Sequence, residues 1–326
     1  MGDGSTRNAQ ISMGAHGPSS DGRPLLQFAI IGGEKCGTAK VRDLLCGHPR
    51  LFMPPQEMPA LEDPDYGAGG MADLATALAP GAQFAASGIH RPNYLHKPEC
   101  PPRLHRHFPA ARLIVVLRDP VERAVSAYFH QVRYGFLPQR PLQVGLPAIA
   151  SGRLHARYPR SREVVEFGFY HRHLSRYLQL FPREQLLVLL QEALRADLDG
   201  TFRRLCAFVG IDPTAAPAPS PAMINTGIYS ARRLWFARRQ NRFLYDYSPD
   251  RTRLFPRKTP LRRWEKRASH LLSVMEWKAS AAGWLPDVKP VVTPEIEELL
   301  ADLYRDDTAR LQDLLGLDLS HWRSAQ

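Results

Sequence analysis

The most restrictive feature of this sequence is a strand–turn–helix pattern near its start, over residues 25–49. Residues 25–31 form an apolar run of strand length that ends at a glycine pair, and apolar residues from Val41 to Leu45 then recur at helical spacing. Backbone amides at such a helix start face outward, and glycine lets a backbone approach a ligand closely. The turn therefore predicts a phosphate-binding loop with Lys35 as its point charge. The alternative is an ordinary strand–helix corner with a surface lysine.

This loop departs from the nucleotide-binding P-loop. Gly32 and Gly37 have the Gly-x4-Gly spacing, but Thr38 and Ala39 stand where that motif requires Lys and Ser or Thr. The hydroxyl that binds magnesium in that motif has no clear counterpart here. A magnesium-dependent nucleotide hydrolase is therefore disfavoured.

Composition limits the class of protein. With 326 residues and a hydrophobic fraction of 44%, the chain can form one large α/β domain or two small ones. No apolar run reaches the roughly 20 residues of a membrane span, and residues 1–24 are polar, which predicts a disordered tail rather than a signal peptide. The four cysteines form no C-x-x-C pair, which argues against a zinc site or disulfide framework and predicts a reducing, cytoplasmic location. Cys36 lies at a predicted helix start, where thiol pKa values fall, although a packed thiol fits the pattern as well.

Positive charge is concentrated in one segment. The formal net charge is +11, and residues 230–267 hold 13 Arg or Lys against Asp246, Asp250 and Glu265, a local charge of +10. Such a block predicts an anionic partner: a polyphosphate cofactor, an acidic glycan, nucleic acid or a membrane surface. A solvated basic face is the alternative.

A second anion site is predicted after a buried strand at residues 112–117. Asp119 is a suitable helix cap, followed by a proline at the first helical position. Arg118 then lies at the carboxyl end of the strand, where ligands bind in open α/β sheets, and Ser126 lies about two turns along the helix. Both are suitable donors to a phosphate, and Arg118 alone is equally suited to a structural ion pair.

Other segments are assigned by the same patterns. Those expected to be irregular are a Pro-rich loop after Pro49 that contains Glu57 and Glu62, and a mobile surface loop over 139–162. The remaining assignments are strands at 84–89 and 186–190, helices at 167–181 and from Leu198 to Gly210, and a long helix from Pro294 to Gly316.

Two motifs in this order carry a family resemblance. Residues 30–38 (IIGGEKCGT) are similar to the 5′-phosphosulfate loop of sulfotransferases, and residues 118–128 (RDPVERAVSAY) are similar to their 3′-phosphate motif. Further segments resemble the heparan-type and bacterial branch, namely 168–178, 181–188, 208–211 and 315–322. The similarity extends from about residue 25 to residue 322.

The resemblance implies a fold and a cofactor. The fold is α/β, a P-loop-like three-layer sandwich with a short, mostly parallel central sheet flanked by helices. One domain would cover residues 25–322, with 230–290 as a basic lid and acceptor wall and 323–326 as a C-terminal tail. The cofactor would be 3′-phosphoadenosine 5′-phosphosulfate (PAPS), leaving as adenosine 3′,5′-bisphosphate (PAP), with no metal. The residues implied to bind it are Gly33, Lys35, Cys36, Gly37, Thr38, Ala39, Arg118 and Ser126, with the pair Arg257 and Lys258 closing over the 3′-phosphate.

The resemblance also implies a base that deprotonates the acceptor hydroxyl. In the heparan-type branch this is a Glu in a Lys-Glu loop, and Glu57 stands in the matching place, after Gln56 instead of the lysine. His90 stands where the family often has another lysine. It would polarise the transferring group or share the role of base, and the alternative is a histidine that bonds a loop carbonyl.

The function expected is transfer of a sulfuryl group from PAPS to a hydroxyl of a carbohydrate, lipid or natural-product acceptor. The basic segment also allows peripheral contact with a membrane. One alternative is a P-loop-type small-molecule kinase, which needs a magnesium-binding Ser or Thr after the loop lysine. The other is a nucleic-acid-binding protein that uses the aromatic and Arg residues of 230–267. That alternative leaves both phosphate motifs unexplained, so no nucleic acid is expected as partner.

Overall fold

The computed structural model describes residues 25–216, 227–260, 262–284 and 291–325. The predicted tail at 1–24 lies outside the described residues, as do small parts of the segment 230–290. The chain divides into two compact units. In described residues, the first unit comprises 25–32, Thr38–Val116 and 176–216, and the second comprises Gly33–Gly37, Leu117–Ser175 and the described residues from 227 onward. The prediction of one domain over 25–322 stays a prediction.

The central sheet has five strands in the order β2-β3-β1-β4-β5. The strands are β1 (Phe28–Gly32), β2 (Leu51–Phe52), β3 (Ala86–His90), β4 (Arg112–Leu117) and β5 (Leu186–Leu190). The first strand runs parallel to both of its neighbours, with Phe28 opposite Gly88 of β3 and Arg112 of β4. Strands β1 and β3 are buried along their whole length, as expected for a parallel sheet covered on both faces. The predicted α/β class with a parallel central sheet is confirmed.

Helices flank these strands and form most of the second unit. Up to residue 133 they are α1 (Thr38–Cys46), α2 (Gly70–Leu78), α3 (Cys100–His107) and α4 (Pro120–Arg133). The next are α5 (Leu142–Ala150), α6 (Glu163–Glu166), α7 (Tyr170–Leu178), α8 (Gln191–Ala196) and α9 (Leu198–Val209). The last are α10 (Ala231–Leu244), α11 (Arg263–Ala281) and α12 (Pro294–Leu315), with a two-stranded antiparallel sheet, β6 (Tyr245–Tyr247) and β7 (Leu254–Pro256), between α10 and α11.

Local end signals set several boundaries. Asp119 caps α4, where its carboxylate accepts the backbone N–H groups of Val121 and Glu122 at 2.7 and 3.3 Å. Gly210 and Gly316 follow α9 and α12 with φ of 82° and 62°, the left-handed conformation in which glycine ends a helix without strain. These helices end where the sequence predicts.

The prediction of a mobile loop at 139–162 is wrong. Residues Leu142–Ala150 form α5, and Leu142, Leu146 and Ile149 are buried in the core of the second unit beside α4 and α12. Gly145 lets the helix approach Tyr128 closely, since a Cβ there would lie 2.3 Å from the Tyr128 hydroxyl oxygen. Burial of this apolar face offsets the low helix propensity of the local Gly and Pro residues.

Residues 323–325 of the predicted C-terminal tail make specific contacts. Arg323–Ala325 forms a 3₁₀ turn, and its first backbone N–H donates to the Asp119 carboxylate at 2.8 Å. The Ser324 side chain is fully buried and hydrogen-bonds the Thr308 hydroxyl of α12 at 2.9 Å. These contacts hold the end of the described chain on the second unit.

Candidate active site

The loop between β1 and α1 has an unusual backbone. Lys35 has φ of 66°, a left-handed conformation that is costly for a residue with a side chain, and Gly37 has φ of 97°. The amide of Cys36 donates to the Gly33 carbonyl at 3.2 Å and closes a turn within the loop. Such strain persists at ligand-binding loops, where the backbone must present its amides in one direction.

The Lys35 ammonium contacts a histidine of α4. Its Nζ lies 3.3 Å from His130 Nδ1, and His130 Nε2 lies 3.9 Å from a carboxylate oxygen of Glu34. Burial and the neighbouring Lys35 charge hold the His130 pKa well below its usual value, so the imidazole is neutral at neutral pH. Neutral His130 accepts a hydrogen bond from Lys35 at Nδ1, which leaves its proton on Nε2, facing Glu34.

Positive charge surrounds Lys35. Its pKa is lowered by burial, and the charges of Arg133 and Arg118 lower it further, whereas Glu34 opposes the shift. The guanidinium groups of Arg118 and Arg133 are therefore close enough to Lys35 to act on its ionisation. Three cations around a strained, amide-rich loop favour an anion with more than one charge.

A buried bridge joins the loop to Arg118. The Tyr170 hydroxyl at the start of α7 donates to the Arg118 carbonyl at 2.9 Å and lies within hydrogen-bond distance of Cys36 Sγ, at 3.3 Å. All three groups are buried. Burial raises the pKa of Cys36 as well as that of Tyr170, and of the two interpretations of Cys36 from sequence this agrees with the packed thiol.

Arg118 and Ser126 occupy the positions predicted for them. Arg118 directly follows β4, its side chain is 7% exposed, and its Nε and Nη2 both donate to Glu122, at 3.0 and 2.5 Å. The ion pair considered from sequence is thus present, and it fixes the orientation of the guanidinium. Ser126 is buried on α4, one helical turn before His130.

In the first unit, Glu57 belongs to a carboxylate–arginine cluster. Arg91 Nη1 donates to Glu57 at 2.7 Å, while its Nε and Nη2 donate to Glu62 at 2.5 and 2.8 Å. The Glu57 side chain is 44% exposed, whereas that of Glu62 is 9% exposed. Glu57 is therefore oriented by Arg91 and remains accessible, and Glu62 is the buried structural partner.

His90, at the end of β3, lies beside this cluster. Its Nδ1 is 4.0 Å from a Glu57 oxygen, and neither ring nitrogen has a hydrogen-bond partner in the described part of the chain. A bond to a loop carbonyl, considered from sequence, is absent among those residues. Burial, together with the nearby Arg42 charge, lowers the His90 pKa to about 4, so the ring is neutral at neutral pH. A buried imidazole with two unused nitrogens is costly unless a ligand binds it.

The remaining predicted residues directly follow the loop in sequence or belong to the basic segment. Thr38 and Ala39 open α1 in the first unit, with Thr38 buried. Arg257 follows β7 and pairs with Glu265 of α11 at 3.2 Å, and Lys258 is exposed.

The basic segment is anchored on the end of α4. Arg238 of α10 donates to the Val132 carbonyl at 2.9 Å, Asn241 to the Arg133 carbonyl at 2.9 Å, and Tyr247 to the Tyr134 carbonyl at 2.8 Å. This part of the predicted lid is therefore fixed to the helix that carries Ser126 and His130.

The sequence prediction missed His130, Tyr170, Arg91 and Arg133. A signal existed for His130, which follows Ser126 by four residues and so shares its helical face. Tyr170 lies in a segment of family resemblance, but no local pattern joins it to a loop more than 100 residues earlier. Arg91 adjoins His90 in sequence, yet its two carboxylate partners lie on a distant loop.

Comparison with models of protein families shows to which family this chain belongs. The model of the sulfotransferase domain matches residues 27–224, more than half of the chain. The chain belongs to the sulfotransferase domain family. The resemblance seen in the two phosphate motifs is confirmed.

Curated relatives of this sulfotransferase domain come from the heparan-type branch. It is 31% identical over 193 residues to heparan sulfate glucosamine 3-O-sulfotransferase 3A1 of Mus musculus, covering 58% of this chain and 47% of that protein. It is 30% identical over 215 residues to heparan sulfate glucosamine 3-O-sulfotransferase 6 of Homo sapiens, covering 62% of this chain and 60% of that protein. The chain thus spans about half of the length of the curated relatives it matches.

A solved structure shares the fold. The crystal structure of a sulfotransferase from Alicyclobacillus acidocaldarius superposes with a TM-score of 0.62 at 24% identity, covering 91% of this chain and 98% of that chain. Across the described residues of this sulfotransferase domain, no group of three or more His, Cys, Asp or Glu side chains could hold a metal ion. In the same part of the chain, no helix is both long enough and apolar enough to cross a membrane.

Proposed function

We propose that this protein transfers the sulfuryl group of PAPS to a hydroxyl group of a carbohydrate, lipid or natural-product acceptor. The observation that carries the proposal is the strained loop on which the buried Lys35 ammonium, in contact with neutral His130, lies within the electrostatic reach of Arg118 and Arg133. Membership of the sulfotransferase domain family supports the same activity.

The proposed cofactor carries phosphate at both ends of an adenosine, so it requires two groups of anion-binding residues. Loop amides between Gly33 and Gly37, together with Lys35, would hold the 5′-phosphosulfate, and Thr38 and Ala39 would continue this cradle at the start of α1. Arg118 and Ser126 would hold the 3′-phosphate as charged and neutral donors. When bound, PAPS supplies an activated sulfuryl group whose bond to the phosphate oxygen breaks as the acceptor oxygen bonds to sulfur. Lys35 stabilises the negative charge that develops on that phosphate oxygen.

Glu57 is the proposed base. Its accessible carboxylate is held by Arg91 and takes the proton of the acceptor hydroxyl. His90 is neutral and has two unused nitrogens, so it can donate or accept a hydrogen bond toward a bound group. The relatives that sulfate heparan glucosamine suggest a sugar hydroxyl as a first acceptor to test.

Calorimetry tests the cofactor assignment. The protein should bind PAP without a metal and should bind adenosine 5′-phosphate more weakly. Arg118→Ala should weaken PAP binding by roughly 1.5 to 3 kcal/mol, the range for a hydrogen bond to a charged group, and should leave adenosine 5′-phosphate binding unchanged. The control is Arg112→Ala, at the exposed opposite end of β4. Equal affinity for both nucleotides would contradict the roles of Arg118 and Ser126.

A transfer assay tests the reaction itself. Radiolabelled sulfate on PAPS should appear on one class of acceptor from a panel of glycans, glycolipids and polyketides. A small-molecule kinase would instead prefer magnesium-ATP and transfer its terminal phosphate. Transfer from ATP with no transfer from PAPS would replace the proposal by that alternative.

A further inference from the structure

The segment after residue 230 exposes much apolar surface. Eight of the twelve large hydrophobic side chains that are exposed in the described residues lie within 235–284. The most exposed of these are Trp264, Leu271, Trp277 and Trp284, with exposed fractions of 60%, 58%, 69% and 70%. A concentration of this kind marks an interaction surface, because scattered exposed apolar residues are the norm elsewhere.

Part of this apolar surface forms a stripe along helix α11. Trp264, Leu271 and Met275 are spaced by seven and four residues, which places them in one stripe along the helix. The opposite side faces α10, where Gln240 donates to the Ser273 hydroxyl at 2.7 Å and Arg233 pairs with Glu276. The apolar stripe is therefore turned away from the helix on which α11 packs.

The acidic and basic residues of α11 differ in their exposure to solvent. The two acidic residues of this helix, Glu265 and Glu276, are largely shielded and pair with Arg257 and Arg233. The basic residues of this helix, Arg263, Lys266, Arg267 and Lys278, are all exposed, and the helical spacing places Arg267 and Lys278 beside the apolar stripe. The exposed face of α11 thus combines Trp, Leu and Met with positive charge only.

We propose that this face of α11 binds the surface of a membrane that contains anionic lipids. Amphipathic helices of this composition lie in the interface, with the apolar side chains among the acyl chains and Lys and Arg beside the headgroups. Tryptophan is enriched at this depth because its ring is apolar and its N–H is polar. The proposal does not rest on the sulfotransferase activity.

The charge and the side-chain types favour a membrane over other partners. In an interface with a second copy, the basic residues of one α11 would face those of the other, because a two-fold interface joins the same patch on both subunits. Single-stranded nucleic acid would use the aromatic rings for stacking, but Leu271 and Met275 offer bases no stacking surface. The acyl chains of a membrane accommodate the Trp, Leu and Met side chains of the stripe alike.

Vesicle binding tests the proposal on the full chain. The protein should sediment with phosphatidylcholine vesicles that contain phosphatidylglycerol and much less with phosphatidylcholine alone. Tryptophan emission should shift to shorter wavelength on binding, because Trp264 leaves water. High salt should weaken the binding, since the headgroup attraction is screened.

Matched variants separate the apolar and electrostatic contributions. The triple variant Trp264→Ser, Leu271→Ser, Met275→Ser keeps the charge and should lower the vesicle partition coefficient roughly tenfold or more. The double variant Arg267→Glu, Lys278→Glu should lower it by a similar factor of about ten or more. The controls Leu303→Ser and Arg204→Glu alter exposed residues outside this segment and should change it less than about twofold.

Four results would overturn the proposal. The first is no binding to vesicles that contain phosphatidylglycerol. The second is unchanged binding by the triple variant, which would reduce the contact to charge alone. The third is an oligomer that the triple variant dissociates in gel filtration, which would assign the face to a second copy. The fourth is tighter binding of a single-stranded oligonucleotide than of vesicles at equal phosphate concentration.

Discussion

At the scale of single residues, Lys35 and His90 show how burial prepares a polar side chain for a ligand. Burial and two neighbouring arginines lower the pKa of Lys35, which means that the charged form of its side chain is destabilised at this position. His90 is buried with both nitrogens unused by the described residues. Each cost is offset when an anion or a polar ligand binds.

Replacing Lys35 tests its role at the transition state. Lys35→Ala should lower turnover more than PAP affinity, because the charge it stabilises grows as the phosphate oxygen leaves sulfur. Steady-state kinetics and calorimetry measure the two effects, with Lys97→Ala as the control. Preserved turnover with only a raised Michaelis constant for PAPS would assign Lys35 to ground-state binding alone.

The Glu57 cluster offers an internal control for the proposed base. Glu57→Gln should cut turnover by about 10² or more while PAP affinity stays within about twofold. His90→Ala should lower turnover by a smaller factor. Glu62→Gln should cost least in turnover, because Glu62 is the buried partner of Arg91. Near-normal turnover in Glu57→Gln with none in His90→Ala would make the histidine the base.

The pH dependence of stability tests the burial of His90. Its folded-state pKa of about 4 lies below the ordinary value of 6.5, so between these pH values the unfolded chain binds more protons at this residue. Stability should therefore fall as pH falls from about 6.5 to about 4, by roughly 3 kcal/mol from this residue at about 1.4 kcal/mol per pKa unit. Urea unfolding of His90→Asn should show a weaker dependence, whereas His321→Asn, at an exposed position, should match the parent. An unchanged dependence in His90→Asn would contradict the shift.

At the scale of elements, the loop Gly33–Gly37, Arg118 and the start of α7 meet around one buried hydroxyl. Tyr170, at the start of α7, joins Cys36 of the loop to the Arg118 carbonyl at the end of β4. The two regions assigned to opposite ends of the cofactor are thus linked within the second unit. Tyr170 is a positioning residue, since it acts through these groups.

Two tyrosines of α7 allow the positioning role of Tyr170 to be tested separately from its effect on stability. Tyr170→Phe and Tyr177→Phe each remove a buried hydroxyl that donates to a backbone carbonyl, the latter to Tyr94 at 2.8 Å. Both should lower the free energy of unfolding by about 1 kcal/mol. Only Tyr170→Phe should also weaken PAP binding, by roughly three- to tenfold, which corresponds to one lost hydrogen bond. Equal PAP affinity in the two variants would reduce Tyr170 to a structural residue.

At the scale of the whole molecule, the chain contributes to each compact unit from segments far apart in sequence. The second unit contains the five-residue loop Gly33–Gly37 together with the C-terminal helix and turn. Trp322 is 1% exposed and packs 6.1 Å, centroid to centroid, from the Tyr170 ring, so the end of the chain completes the core behind the site.

Truncating that tryptophan should destabilise the protein. Trp322→Ala should lower the free energy of unfolding by about 3 to 5 kcal/mol, the range for a large side chain lost from a core. Denaturant unfolding measures it, with Trp284→Ala as the control at a residue that is 70% exposed. A loss below about 1 kcal/mol would contradict the packing at Trp322.

The sequence by itself determined the features that depend on neighbouring residues. The apolar strands, the Asp119 cap and the glycines that end α9 and α12 all act within a few residues, so their patterns are readable without a fold. The glycine-rich loop and the 118–128 motif belong to this group, and with them came the family and the cofactor prediction. The base, the acceptor and the cytoplasmic location stay predictions.

Tertiary structure decided what depends on distant partners. Helix α5 forms because its apolar face meets α4 and α12, which outweighs its Gly and Pro. The raised pKa of Cys36, the contact between Lys35 and His130, and the division of Arg91 between two carboxylates arise from burial and from charges remote in sequence. Solvation and Coulomb energies depend on distance in space, and only the folded chain sets those distances.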